Sequence, residues 1–398
     1  MSKKVLFLNA TVQDIHFILT YRKLGYYVIT SGNRPDFIGH KYADKYISGN
    51  YSNYEEILKI AKENNVCAIS GGTSDKAYLC AAYVSEKLGL KGYDSYEVTE
   101  ILHTKDKFRE FTAKNKIKAP IAKSFDDLDK MKAAMNEFNL PLIIKPVDSA
   151  GGKGVSVIRN KEELEDCAKR AFLASVNKKI VVEELIEGKQ HAISAFIVNG
   201  KVKAFYNYEE YSFLNPFMVS TMIGPVKHSD IISEKIILEI EKIAVMLKLV
   251  DGQVHVQYMV KDNDISIIEI MRRGVGNYVS TMINDSAGIA WLDWYIRAQL
   301  GKDCSSIPRR MGGEFDCASQ VIMSEENGII DEIIIDDRIK KNVYNIDIWL
   351  DKGYKITDFM NEKIGIVLLS FENEEEREFY EQNYDKLIRV KLREKENC

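Results

Sequence analysis

The stretch Pro141–Val155, PLIIKPVDSAGGKGV, decides how this chain is read. An apolar run, Leu142–Ile144, ends in Lys145 and empties into a loop that holds Gly151, Gly152 and Gly154. Glycines let backbone N–H groups approach an oxyanion that a Cβ would hold off, and a lysine at the strand end supplies a compact positive charge. The pattern is not a Walker A loop, because Lys153 is followed by Gly154 rather than Ser or Thr and the downstream residues Val155–Ile158 read as a strand. The loop Ser149–Gly154 is therefore expected to be a glycine hairpin acting as a flap over a nucleotide, with an ordinary glycine hairpin as the plain alternative.

Working outward, the N-terminal third alternates strand and helix patterns: Val5–Asn9, Tyr27–Ser31 and Cys67–Ser70 as strands, with Asp14–Leu24, Tyr54–Asn64 and Lys76–Leu88 as helices. Such alternation argues for a parallel α/β sheet. The first strand runs into Asn9-Ala10-Thr11, not GxGxxG, which rules out a dinucleotide-binding turn. The middle region carries the flap, strands at Ile180–Glu184, Ala192–Val198 and Lys201–Asn207, and a strand pair, Gln253–Val260 and Ile265–Met271, around the turn Lys261–Asp264. Beyond Ser305–Gly313 short β patterns dominate and a charged helix, Glu374–Asn383, closes the region. The expected division is 1–104, 105–305 with a lid at about 117–185, and 306–398.

The 398 residues suffice for two or three domains with real cores. With 55 basic against 59 acidic residues the net charge of −4 offers no polyanion-binding surface, so nucleic acid is not an expected partner. No apolar run approaches the roughly 20 residues that span a bilayer, and the chain is expected in the cytoplasm without membrane partners. The 6 cysteines show no CxxC pair and the 6 histidines no HxxxH or HxH spacing, which argues against a structural zinc site.

Four further stations fit the flap. Lys107, in TKDKFREF, starts a helix from which it could reach a phosphate. VVEELIEG, Val181–Gly188, is a strand leaving the core at two glutamates, where backbone groups can meet an adenine edge and Leu185 and Ile186 can sandwich the ring. Gln257 and Glu269 sit on the strand pair, where both side chains share one sheet face and can offer oxygen ligands to Mg²⁺. Arg272 and Arg273 follow, either of which can clamp a phosphoryl group or a carboxylate, or pair with Glu269. His255, two residues from Gln257 on the same strand face, either helps the site or is a satisfied core histidine. The run Tyr206–Tyr211 adds aromatic and acidic groups near the cleft.

In this order and spacing, Lys107, Lys145, the SAGGKG loop, EELIEG and Gln257…Glu269…Arg273 resemble the ATP-grasp superfamily, and most of all its biotin-carboxylase-like branch of carboxylate–amine ligases. The resemblance covers essentially the whole chain, including GTSDKAY at Gly72–Tyr78. It implies an N-terminal parallel α/β domain, a central α+β domain with a mobile glycine-loop lid, and a small C-terminal β-rich domain. It also implies ATP and Mg²⁺ as cofactors and formation of an acyl phosphate that an amine then attacks. Residue by residue, Lys107 and Lys145 would contact the α- and β-phosphates, Ser149, Gly151, Gly152, Lys153 and Gly154 would cover the triphosphate, and Glu183, Glu184, Leu185 and Ile186 would read adenine. Gln190 would meet the ribose, Glu269 and Gln257 would hold Mg²⁺, and Arg273, with Lys145 and His228, would act on the phosphoryl group. Gly72, Thr73, Asp75 and Arg310 would wall the substrate.

Three positions depart from that pattern. Gln190 and Gln257 replace acids, and Met271 stands where an Asn ligand is usual. A thioether is a poor ligand for a hard cation, so the site holds one Mg²⁺ at Glu269, recruits replacements such as His255 or Asp251, or binds nucleotide without turnover. Activities like glycinamide ribonucleotide synthetase or biotin carboxylase are the remaining alternatives, and a homodimer is expected by analogy.

Overall fold

The computed structural model describes residues 3–148, 152–227 and 230–393. Ser149, Gly151 and His228 thus lie outside the described residues. Strands β1 (Lys4–Leu8), β2 (Tyr27–Gly32), β3 (Lys45–Ser48) and β4 (Ala68–Ser70) form a parallel sheet in the order β3-β2-β1-β4. Its crossovers include α1 (Ile15–Lys23) and α2 (Tyr54–Glu63), and α3 (Asp75–Leu88) follows β4. The helices start where short polar side chains satisfy first-turn amides: Asn53 accepts from Glu56 N–H and Ser74 from Ala77 N–H. Helices α4 (Tyr96–His103) and α5 (Lys105–Asn115) lead out of this domain.

The lid is a second sheet, built from β5 (Ala122–Phe125), β6 (Leu142–Pro146), β7 (Ser156–Ile158) and β8 (Ile180–Glu184) in the antiparallel order β5-β8-β6-β7. Helices α6 (Leu128–Ala134) and α7 (Leu164–Ala174) cover one face, where Leu142, Ile144, Ile180 and Val182 pack on Met131, Ala168 and Ala171. Because side chains alternate along a strand, Lys145 and Glu183 necessarily point the other way. That opposite face belongs to the cleft.

The largest sheet runs β13-β12-β9-β10-β11-β15-β19-β17. Its first half comprises β9 (Lys189–Val198), β10 (Lys201–Ser212), β11 (Val219–Gly224), β12 (Gly252–Lys261) and β13 (Asp264–Met271). Helix α8 (Asp230–Leu247) covers Ile193, Ala195, Val254 and Val256 on one face. Helices α9 (Val279–Ala287) and α10 (Trp291–Gln299) cover Phe196 and Tyr206 on the other, where the short β14 (Arg310–Met311) also pairs with β10.

The remaining elements are β15 (Asp316–Ile322), β16 (Gly328–Ile335), α11 (Asp337–Lys340), β17 (Val343–Ile348), β18 (Lys355–Ile356), β19 (Gly365–Phe371), α12 (Glu374–Leu387) and β20 (Ile388–Leu392). The expected boundary at 305/306 falls in a loop, but hydrogen bonding continues across it. Thr221 pairs with Gln320 and Ile223 with Ala318, so β15, β19 and β17 extend the central sheet, and only β18-β16-β20 forms a separate small one. Among the described residues no helix is long and apolar enough to cross a membrane.

Candidate active site

The cleft face of the central sheet is set by register. Gln257 is the direct partner of Glu269 on β13, and its other neighbour is Ala192 on β9. Ala192 pairs with Tyr208 on β10, so residues two positions along, Gln190 and Glu210, share the same face. Gln190 Nε2 and Gln257 Nε2 both donate to Glu210 Oε2, at 2.8 and 2.7 Å. Burial, and secondarily the charge on Glu269, push the Glu210 carboxyl up to about 7, against the two amide donors. Glu210 thus supplies an acid beside both positions where glutamines stand, and it holds the Gln257 amide so that Oε1 is left for a cation.

Glu269 faces Lys105 Nζ at 3.4 Å, not Arg272 or Arg273. Lys107, the lysine expected at a phosphate, donates to Glu100 at 2.7 Å on a half-exposed surface. Residues two apart on a helix diverge by about 200°, so the two lysines face different ways and Lys105 is the one beside Glu269.

Under the lid, Glu183 is 1% exposed and carries two cations. Arg109 donates to both of its oxygens, at 2.9 and 3.2 Å, and Lys145 Nζ to Oε2 at 2.9 Å. Burial opposes its charge, but Arg109 and Lys145 hold it down to about 2. Its side chain is therefore a buried counter-ion that positions Lys145, not a reader of adenine. Burial lowers the Lys145 pKa, and Glu183 offsets part of that. The hinge Glu184–Ile186 is half-buried, and the Glu184 and Leu185 amides are spent on Ile121 C=O and Pro141 C=O, each at 3.0 Å.

In the flap, Gly152 lies against Phe217 of the β10–β11 connection, and Lys153 is exposed. Gly154 has φ +73, and a Cβ there would meet Ala174 at 2.6 Å and Pro146 at 2.8 Å. Only glycine combines that backbone with that approach.

Arg273 Nε donates to Asp75 Oδ1 at 2.8 Å and Nη1 to Gly274 C=O, while among the described residues Nη2 has no protein acceptor. Asp75 also accepts from His103 Nδ1 at 2.9 Å; the Arg272 amide donates to His103 Nε2, which fixes that tautomer. Burial raises the Asp75 pKa, yet Arg273 and His103 together hold it well below the usual carboxylate range. Arg272 turns away, its Nε on buried Asp94 at 2.9 Å and Nη2 on Val250 C=O.

Three expected wall residues are committed elsewhere. The Thr73 N–H and Oγ1 both donate to Asp14 Oδ1 at 2.9 Å. Gly72 accepts from the Gly274 amide at 3.1 Å, so it serves domain docking. Arg310 pairs with exposed Glu314 at 2.6 Å near the start of β10. Six residues of strand, roughly 20 Å, separate that point from Glu210, and Arg310 is not part of this cluster.

The two suggested replacement ligands fall out as well. His255 is buried, beside Ser194 and Tyr208, and burial with Arg273 nearby keeps it neutral, down to about 3. Asp251 accepts the Asn199 amide at a hairpin turn. The oxygen donors Glu269, Gln257 and Glu210 suit a hard cation, whereas the Met271 thioether does not. The residues fit one Mg²⁺. Among the described residues no three His, Cys, Asp or Glu side chains form a ready metal cluster, so phosphate oxygens would complete the shell.

A lid sheet bearing a lysine, closing on a central sheet that bears paired oxygen ligands and an arginine, gives this chain the ATP-grasp fold. Residues 104–216 match the ATP-grasp (A) domain of phosphoribosylglycinamide synthetase. The fold is similar to the L-amino acid ligase from Bacillus licheniformis, with TM-score 0.82, 18% identity and 99% of each chain covered. It is likewise similar to phosphoribosylglycinamide synthetase from Anaerococcus prevotii, with TM-score 0.77 and 20% identity over 99% of this chain and 100% of that one. In sequence the chain is 24% identical over 300 residues to the carbamoyl phosphate synthase large chain of Pseudothermotoga lettingae, covering 74% of this chain and 27% of that one. It spans about a quarter of the length of such large-chain relatives.

Proposed function

We propose that this protein uses Mg·ATP to phosphorylate a small carboxylate and couples the acyl phosphate to an amine, releasing ADP and phosphate. The observation that carries the reading is the convergence of Lys145, the Glu269–Gln257–Glu210 oxygen face and the free arm of Arg273 on one cleft. The match of residues 104–216 to a ligase ATP-grasp domain supports it.

A carboxylate does not react with amines at neutral pH until its oxygen becomes a leaving group, and phosphorylation does that. The protein's part is positioning and charge neutralisation. Lys145, held by Glu183, and Lys105 meet the phosphates. The hinge at Ile186 meets the base, and Gln190 the ribose. Glu269 and Gln257 would hold Mg²⁺, which would neutralise phosphate charge. Arg273, oriented by Asp75, directs Nη2 to the transferring phosphoryl group and its carboxylate acceptor. The amine attacks the acyl carbon as phosphate leaves.

The test is ADP and phosphate release with Mg·ATP across a matrix of carboxylates and amines, with Glu269→Ala as blank. A substrate-dependent signal abolished by the substitution is the expected result. Met271 at a usual ligand position favours one second reading, nucleotide binding without turnover. Its signature is a flat matrix with ATP binding retained in calorimetry.

A further inference from the structure

Lys363, just before β19, reaches the loop that carries Arg273. Its Nζ donates to Asn277 Oδ1 at 2.7 Å. Asn277 is a node: its amide donates to Gln13 Oε1 at 2.9 Å, its Nδ2 to Val219 C=O at 3.2 Å, and its carbonyl accepts from Ser319 Oγ at 2.7 Å. Three parts of the chain therefore meet there. Asn277 and Tyr278 both hold left-handed backbone, φ 53 and 54. Asparagine adopts that conformation readily, but a tyrosine rarely does, so Tyr278 is held there by its surroundings.

The junction is lined by rings. His16 lies 5.1 Å from Tyr278, and Tyr278 lies 6.2 Å from Trp349, centroid to centroid. The Tyr278 hydroxyl and Trp349 Nε1 both donate to Asp347, which fixes the two rings over an apolar bed of Met218, Val321 and Leu368. Both ring nitrogens of His16 are buried without a hydrogen-bond partner in the protein, and burial keeps the ring neutral, down to about 4. Being neutral, the His16 ring presents an apolar face beside Tyr278. Lys363 makes no ion pair among the described residues; burial and then the like charge of Arg273 lower it to about 8. Two neighbouring cations repel each other unless an anion sits between them.

We propose that Lys363 and Arg273 Nη2 jointly hold the carboxylate of the acyl substrate, whose organic part lies on His16, Tyr278 and Trp349. The substrate class is then a small carboxylate bearing a ring or a compact apolar group. This rests on the ligase reading but assigns to it a binding residue from the C-terminal region.

The test is calorimetry on the full chain, loaded with Mg²⁺ and a non-hydrolysable ATP analogue, using acetate, L-alanine, L-phenylalanine and 3-phenylpropionate as probes. The ring-bearing probes are expected to bind more tightly than acetate. Removing one charge-assisted hydrogen bond in Lys363→Met should weaken them about tenfold or more, while Lys363→Arg stays within about threefold. His16→Ala should erase the preference for rings, and nucleotide binding should be unchanged in all three variants. Carboxylate binding insensitive to Lys363→Met, an equal loss of nucleotide binding, or no probe bound by the unmodified chain would each overturn the proposal. Because the readout is binding, a chain that takes these probes through Lys363 yet releases no ADP would refute the ligase reading alone.

Discussion

Glu210 shows how one buried acid sets a pH dependence. Its carboxyl sits at about 7 in the folded chain against 4.5 for an ordinary glutamate. Between those values the folded state keeps a proton that the unfolded state has lost, so this contribution to stability is present below about 4.5 and is lost as pH rises through about 7, on the order of 3 kcal/mol. Glu210→Gln, which still accepts from both glutamines, is expected to gain stability over the unmodified chain at pH 8 and little at pH 4.5 in urea titrations; an offset independent of pH would sink the argument. A second expectation separates the two lysines. Lys107→Ala removes a half-exposed pair worth under about 1 kcal/mol and should leave ATP affinity alone, whereas Lys105→Ala should weaken Mg·ATP binding measured by calorimetry. Lys145, Gln257 and Glu269 were legible because strand alternation and a short hairpin fix where they point. Lys105 was not, since two lysines in one helical turn look alike in sequence. Glu210 was read only as one of the acids in Tyr206–Tyr211 near the cleft, because the expected strand stopped at Asn207 whereas β10 runs on to Ser212.

At the scale of elements, strongly periodic segments were readable and short or irregular ones were not. Strand β3 has only four residues, and β11 follows the aperiodic connection Phe213–Met218. Helices α4 and α9 are short, 8 and 9 residues, which leaves little length for periodicity to register. The flap was legible for a local reason: glycine spacing reports backbone conformation directly. Its mechanics give a third prediction. Gly154→Ala forces an L-residue into left-handed backbone, costing roughly 1–2 kcal/mol, and drives a methyl into Pro146 and Ala174. The lid hairpin is expected to lose its seat on α7, seen as faster proteolysis within the lid and a raised KM for ATP, with global unfolding little changed. Unaltered protease resistance together with an unaltered KM would show that the loop tolerates the side chain.

For the whole molecule, the sequence separated three regions but did not foretell that the last would share a sheet with the middle one. Strand order is fixed by contacts between distant residues, such as Thr221 with Gln320, and local patterns carry no trace of them. The same holds for the seam between the first domain and the rest, where MRRGVGN does most of its work. Arg272 is buried with Asp94, Arg273 meets Asp75, and Gly274 lies so close to α1 that a Cβ would stand 2.6 Å from the Phe17 ring. Neighbouring arginines thus divide their labour, one locking the domains and one serving the cleft. Removing one partner of a buried pair leaves an uncompensated charge, so Asp94→Ala should cost about 3–5 kcal/mol, while Arg272→Met with Asp94→Leu should recover much of it. If the seam also aligns the site, Asp94→Ala at a permissive temperature lowers kcat with nucleotide affinity preserved, since Lys145 and the hinge lie on the other side of the cleft. A double-mutant cycle read by both denaturation and kcat decides this: coupling in stability alone would make Arg272 a fastener, and coupling in both would make the seam part of the catalytic geometry.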